Sequence, residues 1–170
     1  LLGFTLQMIM ILVFGYSLAL FGPINRALKS FSTIPQSFPS ATILTATVTI
    51  LGGLLNWGFG LIVGAIMARF VHESLLKRGI NSNAALLASA GYLGMAVWHG
   101  GFSASAPLTV AGNGHFLTET IGVIPVSETI LSPFNGWITS GLVLVFLTTA
   151  FILSRVASKT NDTFSSIPLN

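Results

Sequence analysis

Gly52-Gly53-Leu54-Leu55-Asn56-Trp57-Gly58-Phe59-Gly60 sits at the centre of an uncharged apolar run over residues 41–68. As one straight helix that run is about 42 Å long, well beyond a hydrocarbon core of about 30 Å. Tilt absorbs part of the excess, but it does not account for four glycines and an amide in the middle. Each glycine weakens a helix interior by about 1 kcal/mol relative to alanine. Folded back on itself, the run makes two arms of about 13 residues, each about 20 Å long, and carries Asn56 to about mid-membrane. Irregular backbone at that depth is tolerated only inside protein or beside a water-filled cavity. The stretch therefore predicts a re-entrant hairpin over 41–68 whose tip lines a site.

The distribution of charge asks for the same fold. The cations are Arg26, Lys29, Arg69, Lys77, Arg78, Arg155 and Lys159, separated by uncharged or cation-free runs over 1–22, 41–68, 79–118 and 129–154. Basic residues beside membrane segments mark the cytoplasmic side. A single crossing by 41–68 sets Arg26 and Lys29 opposite Arg69, Lys77 and Arg78; a hairpin keeps all of them together.

Composition fixes the class. With 52% hydrophobic and 6% charged residues and a mean hydropathy of +0.86, the chain cannot cover a soluble domain, where about 25% charge is usual. It reads as an all-α integral membrane protein. The formal charge of +3 comes from cations spread over short loops, which makes inner-leaflet phospholipid the expected partner and excludes a nucleic-acid face. Without cysteine there is no disulfide or thiolate metal site.

Outward from the hairpin, residues 3–22 make one ordinary span, ended by Gly22-Pro23, and 24–39 make a loop or surface segment. Residues 69–83 are polar and basic. Residues 84–98 start a second helix that meets His99-Gly100-Gly101-Phe102-Ser103-Ala104-Ser105-Ala106-Pro107. Paired glycines followed by hydroxyl residues and a proline suit a helix that stops, unwinds and restarts, so 84–112 is expected to be a broken helix with Ser103 or Ser105 as its new N-cap. Residues 113–135 carry Glu119 and Glu128 and no cation, which places them outside or at the outer interface. Residues 136–154 form the returning span, with Trp137 in an outer aromatic belt. Residues 156–170 read as a polar cytoplasmic linker whose Asn161-Asp162-Thr163 sequon glycosylation does not reach. The chain opens on Leu1 without a basic leader, and the expectation is a piece of a longer polypeptide, 1–155 being its membrane domain.

Glycines also let membrane helices pack closely, and that reading stands beside the breaks. Two interrupted segments in succession favour a transporter, whose discontinuous helices meet at the midplane. A half-helix starting inside the membrane offers N–H groups and a positive dipole end to a carboxylate. That interaction supplies about 0.3 to 2 kcal/mol, against several kcal/mol to desolvate the anion. With no cation at depth, an anionic substrate is expected to travel with H⁺ or Na⁺, and no other cofactor is expected. Candidate substrate-binding residues are Asn56, Trp57, Gly58, Gly100, Gly101, Ser103 and Ser105, with no catalytic or metal-ligating set. Asn56 is either a ligand group or a helix-to-helix hydrogen bond, and the serines are ligands, caps or back-bonding hydroxyls. His99 is either a proton relay or a neutral, hydrogen-bonded side chain. His72 and His115 read as loop residues. Trp57 and Trp98 pack either on substrate or in the core.

Leu55-Asn56-Trp57-Gly58-Phe59-Gly60-Leu61-Ile62-Val63-Gly64-Ala65 resembles the bacterial short-chain fatty acid transporter family. The likeness resumes at Gly91-Tyr92-Leu93-Gly94, at Gly100-Gly101-Phe102-Ser103-Ala104-Ser105-Ala106-Pro107-Leu108, at Gly122-Val123-Ile124-Pro125-Val126-Ser127-Glu128-Thr129, and reaches Ser132-Pro133-Phe134-Asn135. The resemblance implies a multi-pass protein of the bacterial cytoplasmic membrane that carries acetoacetate, butyrate or similar small carboxylates. It further implies a fold of inverted repeats with re-entrant hairpins and broken helices. This chain then corresponds to most of the first repeat, with a second repeat of the same polypeptide as its partner. By the same resemblance Asn56 belongs to the hairpin tip, and Gly100, Gly101, Ser103 and Ser105 to the broken helix. His99 departs from the pattern, which expects glycine there; this leaves open a different substrate size or coupling ion.

Two other classes compete. Gly101-Phe102-Ser103 with nearby histidines suggests an intramembrane serine hydrolase, which needs a histidine base within about 3 Å of the hydroxyl. A structural membrane subunit would tolerate bulky apolar residues at positions 56 and 103. Symport, exchange and facilitated diffusion share these sequence features, and a homodimer stays open.

Overall fold

The computed structural model describes residues 2–159. Among them there are helices and turns and no strand. Helix α1 (Leu2–Leu20) is followed, across a bend of 68°, by α2 (Gly22–Thr33). The bend follows from Phe21, extended at ψ 130, and from Pro23 in the first turn of α2, where its missing N–H costs nothing. Helix α2 turns Leu28 and Ser32 to the protein and leaves Phe31 and Ile34 exposed, with Arg26 and Lys29 on the polar side. That is the pattern of a helix lying in a membrane interface.

Ser37 and Ser40 cap one another reciprocally at the start of α3 (Phe38–Leu55), a capping box built from two serines. The chain leaves helical geometry at Asn56 (φ −155, ψ 127) and re-enters it as α4 (Trp57–Lys77). The two helices lie antiparallel: Gly52 and Gly53 face Gly60, and Thr49 faces Gly64. The chain thus reverses at Asn56, and the arms are longer than the sequence suggests, with 18 residues in α3 and 21 in α4. Helix α4 runs through Arg69 and His72, stabilised at its surface by the Arg69–Glu73 pair one turn apart (2.7 Å). The expected polar loop begins only after Lys77, so His72 is a helical residue, hydrogen-bonded to Ser82 Oγ at 2.7 Å.

Asn83 caps α5 (Ala84–Tyr92) through Leu86 N–H. After a kink at Leu93 comes α6 (Gly94–Val97), then a 3-10 turn at Trp98–Gly100. Helicity resumes in α7 (Ser105–Val110) and α8 (Thr118–Ile121), short pieces on an exposed segment. Helix α9 (Pro133–Lys159) extends beyond the expected 136–154 span at both ends and takes in the start of the expected linker; the sequon at 161–163 lies outside the described residues.

Three helices packed through glycine form the centre. A Cβ at Gly64 would overlap the Gly91 carbonyl oxygen, and one at Gly53 would approach Gly94 O at 2.5 Å. Close backbone approach of this kind is what small residues provide in membranes. Thr49, fully buried, sits at the meeting point, its Oγ1 3.0 Å from Gly60 O and 2.7 Å from Gly91 O. With one proton, it donates to one of them at a time. Thr49→Val keeps the shape and removes that donor, so it is expected to cost about 1 kcal/mol, read as a lowered unfolding midpoint of the intact protein in detergent.

Leu28, Phe38, Val71 and Leu75 bury one another at the far end of the hairpin, with Ala157 of α9 against them. Lys29 Nζ lies 5.6 Å from the Phe70 ring, and Arg78 Nη1 donates to Thr33 O at 3.4 Å. The cation-bearing ends of α2, α4 and α9 therefore gather at one end of the bundle, opposite the Asn56 turn. Among the described residues α3, α4 and α9 are each long and apolar enough to cross a membrane.

Candidate functional site

The two interruptions meet. Phe102 N–H donates to Leu54 O at 2.7 Å, and Trp57 N–H donates to Ser103 Oγ at 2.9 Å. Ser103, on one unwound segment, thus caps the helix that begins at the other. Asn56 supplies a second cap, its Oδ1 accepting from Phe59 N–H at 3.1 Å, while Gly60 N–H bonds to Asn56 O. Trp57 and Trp98 pack across the junction with ring centroids 6.2 Å apart.

This arrangement changes several sequence expectations. Ser103 does not start α7: the N-cap position is Ala104, which has no side-chain cap, and Ser105 is the exposed first residue of that helix, apart from the junction. Most N–H groups of the first turn of α4 are occupied within the protein. Among the described residues, the donors left there are the Gly58 N–H and the Asn56 amide Nδ2. The glycines are mainly a packing device: Gly52, Gly53, Gly58 and Gly60 are all helical, and only Asn56 leaves the helix. Gly101 is required in its place because a Cβ there would overlap Leu54 O and lie 2.6 Å from Leu54 Cα.

One residue to which sequence reasoning gives no role holds the second break. Asn135, on the first turn of α9, donates from Nδ2 to Gly100 O at 2.9 Å and to Ile130 O at 2.7 Å, and its Oδ1 accepts from Thr139 Oγ1 at 3.3 Å. Its own N–H is capped by Ser132 Oγ at 3.2 Å. The block Ser132-Pro133-Phe134-Asn135 was the available signal, since an amide just inside a helix start next to a capping serine has a polar task to perform.

His99 is exposed and makes no hydrogen bond among the described residues. Its ring lies 3.8 Å from that of Trp98, and it lines a cavity of about 240 Å³ together with Glu128, Thr129, Ser132, Phe134 and Asn135. No histidine bonds Ser103 or Ser105: His72 bonds Ser82, and His115 bonds Gly122 O. The serine-hydrolase constellation is therefore not assembled at Ser103. No group of three or more metal-ligating side chains occurs among the described residues.

The family model described as "Short chain fatty acid transporter" matches residues 1–167. The chain belongs to the short-chain fatty acid transporter family. An Escherichia coli (strain K12) protein named "Putative short-chain fatty acid transporter" is 35% identical over 168 residues, which is 99% of this chain and 37% of that protein. A Haemophilus influenzae protein of the same name is 33% identical over 175 residues, 99% of this chain and 38% of its own length. The chain thus spans less than two-fifths of either relative. No solved structure matches it. Family membership groups this chain with proteins named for transport and not with an enzyme family.

Proposed function

We propose that the intact protein is a secondary transporter of short-chain fatty acids or similar small carboxylates across the bacterial cytoplasmic membrane, coupled to H⁺ or Na⁺. This chain is then most of the first of two inverted repeats, with its hairpin re-entrant and its substrate at the junction of the two breaks. The observation that carries this reading is the docking of the unwound strand on the hairpin turn through Leu54 O, Phe102 N, Trp57 N and Ser103 Oγ. Such a joint leaves few polar atoms idle; the Asn56 amide and the Gly58 N–H are donors suited to a carboxylate.

Two features support mid-depth for the turn. Gly58 packs against Ile11 and Gly15 of α1, so α1 continues past the turn with Leu2, Leu6, Ile9 and Met10 exposed and apolar. About nine residues beyond that contact reach about 14 Å further into the slab. On the other side, the 62%-exposed Arg69 lies about 12 residues, or about 18 Å, along α4 from Trp57. A charged pair at that level belongs at the headgroups.

The test is uptake of labelled butyrate by the intact protein in vesicles, under imposed proton and sodium gradients. Asn56→Leu and Ser103→Val are each expected to lower kcat/KM about tenfold or more, the equivalent of losing one hydrogen bond to a charged or strained group. Unchanged uptake in both variants removes the site assignment, and uptake indifferent to both gradients removes the coupling.

A further inference from the structure

We propose that α2 and the end of α4 form a binding site for one anionic phospholipid, its phosphate held by Arg26, Lys29 and Arg78 and its acyl chains covering Phe31 and Ile34. The inference goes beyond the transport reading, because it depends on the membrane placement of the chain and not on the solute carried. Helix α2 has three faces. Leu28 and Ser32, one turn apart, are buried against the protein, with Ile24 half-buried beside them. Ala27, Phe31 and Ile34, at i, i+4 and i+7, form an exposed apolar stripe; Ile34 keeps helical geometry (φ −66, ψ −44) and so stays in register. Arg26, Lys29 and Thr33, at i, i+3 and i+7, form the third face, about 10 Å long. Residues at these spacings share one side of a helix.

The third face collects positive charge from two helices. Arg26 Nε donates to Gly22 O at 3.2 Å, one turn back, and its Nη groups make no hydrogen bond among the described residues. Lys29 Nζ lies over the Phe70 ring of α4, 5.6 Å from its centroid. Thr33 carries no charge, but Arg78 at the end of α4 donates from Nη1 to Thr33 O at 3.4 Å and from Nε to Ser74 O at 3.1 Å, which fixes a third cation beside the stripe. No carboxylate answers these groups: α2 contains no acid, and among the described residues the one ion pair is Arg69–Glu73. Three cations without counter-charge call for an anion, and basic clefts between membrane helices hold lipid headgroups. The apolar stripe alongside requires that the anion carry hydrocarbon, since a free phosphate would leave Phe31 and Ile34 in water. The 68° bend after α1 turns α2 across the end of the bundle, so that both stripes meet one lipid together.

The experiment uses the intact protein in liposomes, with Phe31→Trp as a contact reporter whose emission is taken as the difference from wild type. Lipids brominated along their acyl chains quench an indole they touch. Brominated phosphatidylcholine is expected to quench most of the added emission, and brominated phosphatidylglycerol to do so with at least about tenfold preference in relative binding constant, given about fivefold per cation at a membrane surface. With the reporter in place, Arg26→Gln combined with Lys29→Gln should lower that preference by about fivefold or more. Lys77→Gln combined with Arg155→Gln removes the same charge from the same end of the bundle but outside the stripe, and should leave the preference within about twofold. Quenching by neither lipid means that protein covers the stripe and overturns the site. Equal quenching by the two lipids, or equal loss of preference in the two double variants, overturns it as well, because the charge of that end would then act only in bulk. Release of phosphatidylglycerol by millimolar glycerol phosphate on both sides of the membrane would assign the cations to a free anion and overturn the lipid. Butyrate uptake is not read, so failure here stays distinct from failure of the transport reading.

Discussion

Gly64→Leu in the intact protein is expected to abolish accumulation of folded protein, and Gly64→Ala to lower the unfolding midpoint sharply. At Gly64 a Cβ would overlap the Gly91 carbonyl oxygen and lie 2.5 Å from Thr49 Oγ1; at Gly91 it would lie 2.6 Å from Gly64 O. These neighbours are helix backbone and a fully buried hydroxyl, so the helices must separate. Separation breaks the Thr49 contact with Gly91 O and opens the α3, α4 and α5 seam along its length. Overpacking a close-packed interior costs about 1 to 3 kcal/mol for a small addition and more for a large one, a substantial part of a stability of about 5 to 15 kcal/mol. Gly141 on α9 provides the control. A Cβ there meets nothing within 4 Å, so Gly141→Ala is expected to be neutral or stabilising by up to about 1 kcal/mol. Detergent thermal unfolding followed by size-exclusion chromatography separates the outcomes. A Gly64→Ala midpoint equal to that of wild type would remove glycine packing as the basis of the fold.

The chain reversal was legible because an amide in a run of glycines has no comfortable place in a lipid-facing helix. What each residue does there was not. Gly52, Gly53 and Gly60 resemble helix weakeners on paper, yet they lie inside helices and are needed for contacts with one another and with Gly94. Pairings between distant segments leave no trace in local pattern. The length of α4 is hidden for a related reason: Arg69 and His72 look like a loop in a membrane sequence, but Arg69 is paired with Glu73 on an exposed face and His72 with Ser82. The hydroxyl of Ser103 and its place beside a break mark it as a cap. The helix it caps begins 46 positions away in the chain, and only the tertiary fold supplies that information. Nothing local to Asn135 shows its task, since its acceptors Gly100 O and Ile130 O belong to irregular backbone.

Gly101→Val is expected to leave a folded protein that does not transport. Its Cβ would overlap Leu54 O, the same oxygen that accepts from Phe102 N–H at 2.7 Å. Relief of that overlap requires the unwound strand to lift from the hairpin turn, which also draws Ser103 Oγ away from Trp57 N–H. The central seam of Thr49, Gly64 and Gly91 lies further down the bundle and is not touched, so the stability loss should stay near 1 to 2 kcal/mol, the cost of one or two unmade hydrogen bonds. Function is more sensitive than stability to such a change, because a displacement of about 1 Å in a positioning element costs about a hundredfold in rate. Butyrate uptake by the intact Gly101→Val protein should therefore drop by about two orders of magnitude, while its elution profile and helical circular dichroism match wild type. Gly101→Ala introduces the same Cβ without the branch and should fall between the two. Wild-type uptake in Gly101→Val would mean that the contact between the two breaks is dispensable, and the substrate would then have to be sought elsewhere in the protein.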